Sequence, residues 1–315
     1  MLRFSLVKRP GKTSREATSH VILVTPKITY LCMNYDALKK IAELAIAEDL
    51  KAGYDITSDN VIDPDLKVPF EVNTRDATVV CVRPVTELLL GQTGIEYILH
   101  KSDGEMVQEN ETIISGYANS LALLKVERVF LNFIQRSCAI ASITRKFVDK
   151  VAHTNAKIRG TRKTTPGMRC MELYAIKVGG GENYRDSLSD KVLLKDNHIA
   201  ISGGVKSAVN SLRSSLGEVY ITVECDTFQQ VREAASLNVG TILLDNMSVE
   251  EIKNCVGYVR GVRPSIAIDA SGGITLETVV RIAETGVDYI SVGMLTHSIN
   301  GTDIGIDVSV DDCVS

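Results

Sequence analysis

The sequence predicts an α/β protein in which an N-terminal α+β, sandwich-like domain precedes an open, incomplete parallel α/β barrel of the TIM-like class. From residue 156 onward, short β-branched apolar runs alternate with helix-like stretches, a pattern that favours parallel βα units. Nearly every run ends in charged residues or glycines. Because the carboxyl ends of barrel strands converge on one mouth, these run ends predict a catalytic mouth for an anionic, phosphate-bearing substrate.

The composition is that of an ordinary globular protein. The chain has 315 residues, 44% hydrophobic and 23% charged, which suits one large or two medium domains. A net charge of -4 predicts no bulk attraction to nucleic acid or to an anionic membrane, and no apolar run could span a bilayer. The seven cysteines are scattered without a Cys-x-x-Cys pair, which indicates reduced thiols and a cytoplasmic location.

Residues 1–32 differ from the rest because they are rich in arginine and lysine and contain a single acid, Glu16. We expect a basic N-terminal extension that is mobile or loosely docked. A transit peptide is an alternative, since arginine and serine are present and acids are scarce. Translation that begins at Met33 is a third alternative, because the patterned sequence starts immediately after it.

Residues 33–137 are assigned to the N-terminal domain. Leu38, Ile41 and Ala45 recur at helical spacing and predict an amphipathic helix at the start of this domain. Further along, short apolar runs predict strands around one helix, and a long helical stretch contains the domain boundary. The predicted elements are a helix at 36–52, strands at 68–72, 78–82 and 111–115, a helix at 85–99, and one helix over 119–151 or two with a break at 135–137.

Residues 138–300 are assigned to the barrel domain and residues 301–315 to a C-terminal tail. Six clear strands are too few to close an eight-stranded barrel, so we expect an open barrel, with a doubly wound open sheet as the alternative. The predicted strands are 157–159, 192–194, 220–223, 241–244, 265–268 and 289–292, with helices at 171–178, 204–216, 228–237, 249–259 and 276–284.

The densest cationic patch lies at 159–169, after the first predicted barrel strand. Arginine binds carboxylate or phosphate in bidentate fashion and lysine adds a point charge, so Arg162 and Lys163 are candidate anion ligands. For Arg159 and Arg169, a functional role and a solvated loop are equally good interpretations. Lys195 ends the next strand and could neutralise an anion, whereas His198 is more typical of a structural hydrogen bond.

Glu224 and Asp245 end two neighbouring strands. Paired carboxylates in a cationic mouth indicate contact with hydroxyl groups, with Mg²⁺, or with both, because Mg²⁺ prefers one or two carboxylates plus phosphate oxygens. A structural ion pair with Lys195 is the alternative. A glycosidase pair is disfavoured, since a neutral sugar needs no cationic surroundings.

Glycine-rich ends follow the last two strands, at Ser271-Gly272-Gly273 and at Gly293. Backbone N–H groups at such ends, next to a helix N-terminus, bind phosphate. The glycine run at 179–181 is a weaker signal, because a helix C-cap explains it equally well. Together these residues predict a sugar phosphate whose hydroxyls meet carboxylates and whose phosphate meets the glycines.

In their order along residues 36 to 300, these motifs resemble the quinolinate phosphoribosyltransferase family. Each motif is weak alone, and their order makes the resemblance specific. The runs that carry it include Thr161–Gly167, Gly179–Gly181, Lys195–His198, Leu244–Asn246, Ser271–Gly273 and Ser291–Gly293.

The resemblance implies de novo NAD synthesis, in which quinolinate and phosphoribosyl pyrophosphate give nicotinate mononucleotide, pyrophosphate and CO₂ with Mg²⁺. It also implies a homodimer or higher oligomer in which one subunit's N-terminal domain covers the other's barrel mouth. The family usually has His-Arg where this chain has Tyr184-Arg185, which makes Tyr184 a less certain ligand.

The resemblance further implies site roles. Arg162, Lys163 and Arg185 would hold the two carboxylates, and Arg128 would reach the neighbouring subunit's site. The candidate catalytic residues are Lys163, Lys195, Glu224 and Asp245, of which Glu224 and Asp245 would meet the ribose hydroxyls or the metal. The candidate substrate-binding residues are Arg128, Arg162, Lys163, Arg169, Tyr184, Arg185, Lys195, Glu224, Asp245, Ser271, Gly272, Gly293 and His297.

Two rival functions stay open from the sequence. One is a homologue of the same fold with another acceptor, such as a molybdenum-transport-associated member, which would lack the cations for a second carboxylate. The other is a non-catalytic sensor of sugar phosphates, which would bind phosphoribosyl pyrophosphate and turn nothing over.

Overall fold

The computed structural model describes residues 33–51 and 53–309 of the chain. The basic segment 1–32, with its three interpretations, lies outside the described residues, as does the end of the predicted tail. Among the residues described, no helix has the length and apolar character that crossing a bilayer requires.

The N-terminal part is built on a four-stranded antiparallel sheet whose strand order is β13-β1-β5-β3, and β2 pairs with β4 beside it. Its last strand comes from the far end of the chain: β13, Ile304–Val308, pairs with β1 from Phe70↔Val308 to Thr74↔Ile304. Part of the segment assigned to a tail is therefore a strand of this sheet. The elements are α1 Tyr35–Asp49, α2 Ser58–Val61, β1 Lys67–Thr74, β2 Thr78–Val79, α3 Arg83–Leu89, a 3₁₀ turn Gly91–Thr93, β3 Glu96–Leu99, β4 Met106–Val107 and β5 Thr112–Asn119.

The helix predicted over 85–99 is wrong in its second half. Helix α3 ends at Leu89, and residues 96–99 form β3, which pairs with β5. Gly94 adopts a positive φ of 76° after the 3₁₀ turn, which reverses the chain direction before β3 begins.

One uninterrupted helix, α4 Ser120–Val151, joins the two halves. It starts at the N-cap residue Asn119, whose side chain accepts a hydrogen bond from the backbone N–H of Ala122 at 3.0 Å. The alternative with a break at 135–137 is wrong: the Ser137 hydroxyl donates to the Phe133 carbonyl one turn back, and the helix continues. Residues such as Phe130 and Ile140 are fully buried in the core.

The C-terminal part contains a seven-stranded, wholly parallel sheet in the order β7-β6-β12-β11-β10-β9-β8, which confirms the open-barrel prediction. All six predicted strands are present. The seventh, β7, was missed because its two residues, Glu182 and Asn183, carry no apolar pattern. The elements are β6 Lys157–Gly160, α5 Arg169–Val178, β7 Glu182–Asn183, β8 Val192–Leu194, α6 Asp196–Ile201, α7 Val205–Leu216, β9 Ile221–Cys225, α8 Phe228–Ser236, β10 Thr241–Asp245, α9 Val249–Val262, β11 Ala267–Ser271, α10 Val279–Ala283, β12 Tyr289–Ser291 and α11 Met294–His297.

We predict that Gly116→Ala destabilises the N-terminal sheet. Gly116 lies opposite Phe70 on β1 and Tyr97 on β3, and an added Cβ would collide with the Glu96 carbonyl and lie 2.6 Å from Phe70 Cε1. Overpacking of this kind costs about 1–3 kcal/mol. Urea denaturation measures the free energy of unfolding.

The matched control is Gly257→Ala on the exposed face of α9, where no atom lies within 4 Å of the added Cβ. That change should raise the free energy of unfolding by about 0.5–1 kcal/mol, because alanine is the better helix former. Equal stability of the two variants would contradict the packing assigned to Gly116.

Candidate active site

A cavity of about 330 Å³ opens at the carboxyl ends of the barrel strands. It brings together eight of the residues that the sequence singled out, from six different strands or the loops after them. Those eight residues are Arg162, Lys163, Tyr184, Arg185, Lys195, Glu224, Asp245 and Ser271. We call this cavity the mouth pocket.

The basic loop 161–168 is held in place by a buried carboxylate. Glu172 on α5 is fully buried and accepts hydrogen bonds from Arg136 Nε at 2.7 Å and from the Thr165 N–H at 3.2 Å. Arg136 also donates to the Thr165 hydroxyl at 2.7 Å and to the Thr296 carbonyl at 2.9 Å. The pair therefore fixes the loop that carries Arg162 and Lys163.

Sequence reasoning missed Arg136 and Glu172. The available signal was a charged residue on an otherwise buried helix face: Glu172 stands between Met171 and Leu173, both of them core residues. A carboxylate in that position requires a buried cationic partner, since burying an unpaired charge is expensive.

Lys163 lies next to the last glycine of the barrel. Its carbonyl accepts the Thr296 hydroxyl at 2.7 Å, which ties the basic loop to α11. A Cβ on Gly293 would lie 3.0 Å from Lys163 Cδ and 3.1 Å from His297 Nε2. Lys163, Gly293 and His297 thus lie next to one another beside the mouth pocket.

Arg162 and Arg185 line one side of the mouth pocket, and Arg169 lies near them outside its lining. Burial, together with the charges of Arg185 and Arg169, lowers the pKa of Arg162 below its ordinary value. Arg162 Nε is buried and has no hydrogen-bond partner among the described residues. Like charges held together around an unsatisfied donor favour the binding of an anion.

Arg185 and Arg169 differ in their roles. Arg185 is 8% exposed and donates to the Lys191 carbonyl at 3.2 Å, and its side chain lines the mouth pocket. Arg169 donates to the Thr164 hydroxyl at 3.0 Å and to the Asp186 carbonyl at 2.9 Å, and is not among the lining residues. Arg169 therefore braces the loops from outside.

Lys195 and Glu224 form an ion pair at 2.5 Å across the floor of the mouth pocket. Glu224 is buried, with 8% of its side chain exposed, whereas Lys195 is 44% exposed and open to a ligand. The structural pairing considered for these two residues is thus present. His198 makes a structural hydrogen bond: its Nδ1 accepts the Lys195 N–H at 3.0 Å at the start of α6.

Asp245 lies near the carboxylate of Asp226, and its Oδ2 accepts a hydrogen bond from the Asn246 side-chain amide at 2.6 Å. Burial, and then the charges of Asp245 and Asp196, raise the pKa of Asp226. Asp226 directly follows β9, and the sequence marked this end of the strand without naming Asp226 as a ligand. Within the described part of the chain, no three such side chains are grouped to hold a metal unaided.

The end of β11 accepts only glycine at position 272. Gly272 has a φ of 92°, and an added Cβ would lie 2.7 Å from the backbone nitrogen of Asn246 and collide with its side-chain oxygen. Asn246 in turn donates its N–H to the Ser271 carbonyl at 3.0 Å. The ends of β10 and β11 are thereby packed into one rigid edge of the mouth pocket.

The remaining predicted residues lie outside the lining of the mouth pocket. Arg128, on α4, lines a separate cavity of about 430 Å³ together with the turn after α1. Gly272, Gly293 and His297 lie behind or beside the pocket rather than in its wall.

A buried ion pair underlies the mouth pocket. Asp269 on β11 is 1% exposed and accepts hydrogen bonds from Ser291 Oγ at 2.9 Å and from Arg159 Nη1 at 3.5 Å. The Arg159 guanidinium also lies 3.0 Å from the centroid of the Tyr289 ring. The sequence left a functional role and a solvated loop open for Arg159. The structure shows that it lies inside the barrel and not in a solvated loop.

Burial raises the pKa of Asp269 to about 6, and the Arg159 charge and the Ser291 hydrogen bond offset only part of that effect. Asp269 Oδ1 and Arg159 Nε are buried without a hydrogen-bond partner in the described structure.

Comparison with known proteins identifies both halves of the chain. Residues 55–138 match the quinolinate phosphoribosyl transferase N-terminal domain, and residues 140–307 match the C-terminal domain of the same family. A Bacillus subtilis protein named probable nicotinate-nucleotide pyrophosphorylase [carboxylating] is 37% identical over 289 residues, which cover 89% of this chain and 98% of that protein. The Mycobacterium leprae nicotinate-nucleotide pyrophosphorylase [carboxylating] is 37% identical, with 87% and 98% covered.

Solved structures agree with the sequence comparison. The crystal structure of nicotinate-nucleotide pyrophosphorylase from Ehrlichia chaffeensis superposes with a TM-score of 0.83 at 47% sequence identity. The match covers 86% of this chain and 98% of that one, so it includes both the antiparallel sheet and the open barrel.

We predict that Asp269 makes the stability of the protein depend on pH between about 4 and 6. Burial raises its pKa in the folded state from an ordinary value of 3.8 to about 6, so the folded state binds the proton more tightly. The free energy of unfolding should therefore fall as the pH rises through this window and level off above it.

Urea denaturation of the wild type and of Asp269→Asn between pH 4 and pH 7 tests this prediction. The asparagine variant should lose the slope, and Ser291→Ala, which keeps the carboxylate, should retain it. Parallel curves for the wild type and Asp269→Asn would contradict the assignment.

Proposed function

This chain belongs to the quinolinate phosphoribosyltransferase family, and from that premise we propose how its mouth pocket performs the reaction. The protein is a phosphoribosyltransferase of NAD biosynthesis. It joins quinolinate to phosphoribosyl pyrophosphate and yields nicotinate mononucleotide, pyrophosphate and CO₂.

The proposal rests mainly on the guanidinium groups of Arg162 and Arg185 and on the Arg162 Nε donor, which has no partner among the described residues. Quinolinate has two carboxylates on adjacent ring carbons, and a pair of arginines can bind them in bidentate fashion. Arg162 and Arg185 lie in the wall of the mouth pocket, and Lys163 stands beside them. The buried Arg162 Nε, without a partner in the described residues, is the donor that such a carboxylate would satisfy.

The opposite side of the mouth pocket suits the phosphoribosyl group. Glu224 and Asp245 end adjacent strands and present oxygens that accept hydrogen bonds from ribose hydroxyls. Ser271, Gly272 and Gly293 lie at the ends of β11 and β12, where backbone N–H groups can bind the 5′-phosphate. His297 and Lys163 border the same rim and add hydrogen-bond donors for phosphate or pyrophosphate oxygens.

Mg²⁺ fits the carboxylates of this edge. The pKa of Asp226 is raised by burial and by the nearby carboxylates of Asp245 and Asp196, so a cation would relieve their mutual repulsion. Glu224 and Asp245 would hold the ion together with substrate oxygens, since Mg²⁺ keeps few protein ligands. When bound, it neutralises charge on the departing pyrophosphate.

The protein's side chains contribute to the reaction by orienting the substrates and by stabilising the charges that develop on them. Arg162, Lys163 and Arg185 hold quinolinate so that its ring nitrogen faces the anomeric carbon, and the bond to pyrophosphate breaks as the new N–C bond forms. Lys195 meets negative charge on the leaving group, while Glu224 and Asp245 stabilise the cationic character of the sugar.

Decarboxylation completes the reaction. The bond from the ring to the 2-carboxylate breaks, and CO₂ departs. Its electron pair stays on the carbon next to the positively charged nitrogen, and a proton then takes the place of CO₂. No covalent intermediate with the protein is required.

We also propose that the enzyme is a homodimer or a higher oligomer with shared sites, located in the cytoplasm. Arg128 lies on α4 in a separate cavity, with Asp55 and Lys125 beside it, rather than in the mouth pocket of its own chain. A basic side chain in that position is available to a neighbouring subunit's substrate. The described cysteines are unpaired, in keeping with a reducing compartment.

Neither rival function explains the site as well. An acceptor with a single carboxylate would not need Arg162, Lys163 and Arg185 together. A sensor would not need Lys195 beside a carboxylate pair. Release of labelled CO₂ from carboxyl-labelled quinolinate separates all three functions, because only the proposed enzyme produces it.

We predict that Arg162→Ala lowers kcat/KM for quinolinate by about 100-fold or more, as expected for the loss of two charge-assisted hydrogen bonds. The melting temperature should change little, because Arg162 Nε has no hydrogen-bond partner among the described residues that the substitution could remove. Steady-state kinetics and thermal denaturation measure the two quantities.

The control for this variant is Arg281→Ala on the exposed surface of α10, which should leave the kinetics unchanged. Near-normal kcat/KM for quinolinate in Arg162→Ala would refute the proposed binding of the carboxylates.

We predict that chelation of Mg²⁺ abolishes turnover and that Asp245→Asn raises the Mg²⁺ concentration needed for half-maximal rate by about tenfold, since one charged oxygen ligand is lost. Asp149→Asn, on the exposed face of α4, serves as the control and should behave as the wild type. Full activity in excess chelator would contradict the metal requirement.

A further inference from the structure

The open barrel leaves a seam beside the mouth pocket. Strands β7 and β8 are the two ends of the seven-stranded sheet, and no ladder between them occurs in the described residues. In the described part of the chain β7 pairs with β6 alone, and over two residues: Arg159↔Glu182 and Gly160↔Asn183. The chain after β7 therefore needs side-chain contacts to hold its position.

Tyr184, the residue after β7, supplies such a contact. Its hydroxyl donates to Thr222 Oγ1 at 2.5 Å. Thr222 lies on β9, the strand next to the edge strand β8. The hydrogen bond therefore crosses the seam and reaches the second strand on its far side. Because side chains alternate along a strand, Thr222 faces the same side as Glu224 and lies one level deeper in the barrel.

The ring of Tyr184 forms part of a wall between two cavities. Tyr184 and Arg185 line the mouth pocket and also a second cavity of about 850 Å³ along the seam. The ring lies 5.4 Å from the Arg159 guanidinium and 5.2 Å from Lys191 Nζ, measured to its centroid. If Tyr184 moved, the substrate pocket would open into the seam cavity.

Arg185, the next residue, depends on the same contact. Arg185 is buried, and its guanidinium donates to the Lys191 carbonyl, on the β8 side of the seam. Two neighbouring residues thus bridge the seam: Tyr184 contacts β9, and Arg185 contacts the start of β8. Loss of the first bridge would loosen the second.

We infer that the Tyr184–Thr222 hydrogen bond is a latch that closes the barrel seam and holds Arg185 where it binds a substrate carboxylate. Tyr184 is then a positioning residue: its ring closes the pocket wall, and its hydroxyl serves Thr222 instead of the substrate. This inference rests on the proposed function, which assigns a carboxylate to Arg185.

A double-mutant cycle tests the latch in the full-length enzyme. Tyr184→Phe and Thr222→Val remove the same hydrogen bond from opposite ends, and Thr222→Ser keeps the hydroxyl. Each single variant should raise KM for quinolinate about threefold to tenfold, in line with one lost hydrogen bond, while kcat and KM for phosphoribosyl pyrophosphate stay within about twofold. The double variant should be no worse than either single variant, and Thr222→Ser should match the wild type.

Hydrogen exchange gives a second readout that does not depend on activity. Amides of residues 182–191 should exchange faster in Tyr184→Phe and in Thr222→Val than in the wild type, and not in Thr222→Ser. If Thr222→Val does not fold, Thr222→Ala replaces it.

Two results would overturn the latch. The first is that Tyr184→Phe raises KM for quinolinate whereas Thr222→Val leaves it unchanged. That result would mean that the tyrosine hydroxyl contacts the substrate directly. The other is additive effects in the double variant. Wild-type enzyme that releases no CO₂ from quinolinate would instead refute the proposed function, so the two failures are distinguishable.

Discussion

The site depends on holding like-charged guanidinium groups, partly buried, close to one another at the mouth pocket. Burial first, and then the repulsive charges of Arg185 and Arg169, lower the pKa of Arg162. The scaffold offsets that repulsion by fixing each loop separately. Arg136 and the buried Glu172 hold the basic loop, and Arg169 joins that loop to the loop after Arg185. A bound anion would relieve the repulsion among the guanidinium groups, and this relief favours its binding.

The fold explains why the cations can be held open. In a closed barrel the interior is filled by side chains, whereas seven parallel strands leave a seam that side chains must bridge. Tyr184 and Arg185 cross that seam near the substrate pocket, and the Arg159–Asp269 pair fills the level beneath it. Helix α4 and strand β13 connect the barrel to the antiparallel sheet, so the two halves share one core.

Local patterns in the sequence predicted most of the barrel and most of the pocket. Apolar runs located six strands, and the polar residue at each strand end gave Arg162, Lys195, Glu224, Asp245 and Ser271. Features that depend on distant contacts were not predictable. The two-residue strand β7 exists only through its pairing with β6, and β3 only through β5. The Arg136–Glu172 and Tyr184–Thr222 contacts join residues far apart in the chain, which no spacing rule connects.

The central claim is that the mouth pocket recognises two adjacent carboxylates on one ring. Titration calorimetry of the full-length protein with quinolinate and with nicotinate, which lacks the second carboxylate, tests it most directly. We expect quinolinate to bind at least about 100-fold more tightly, as two further charge-assisted hydrogen bonds would give. Equal affinity for the two acids would contradict the account, because the guanidinium cluster would then have no role in choosing the substrate.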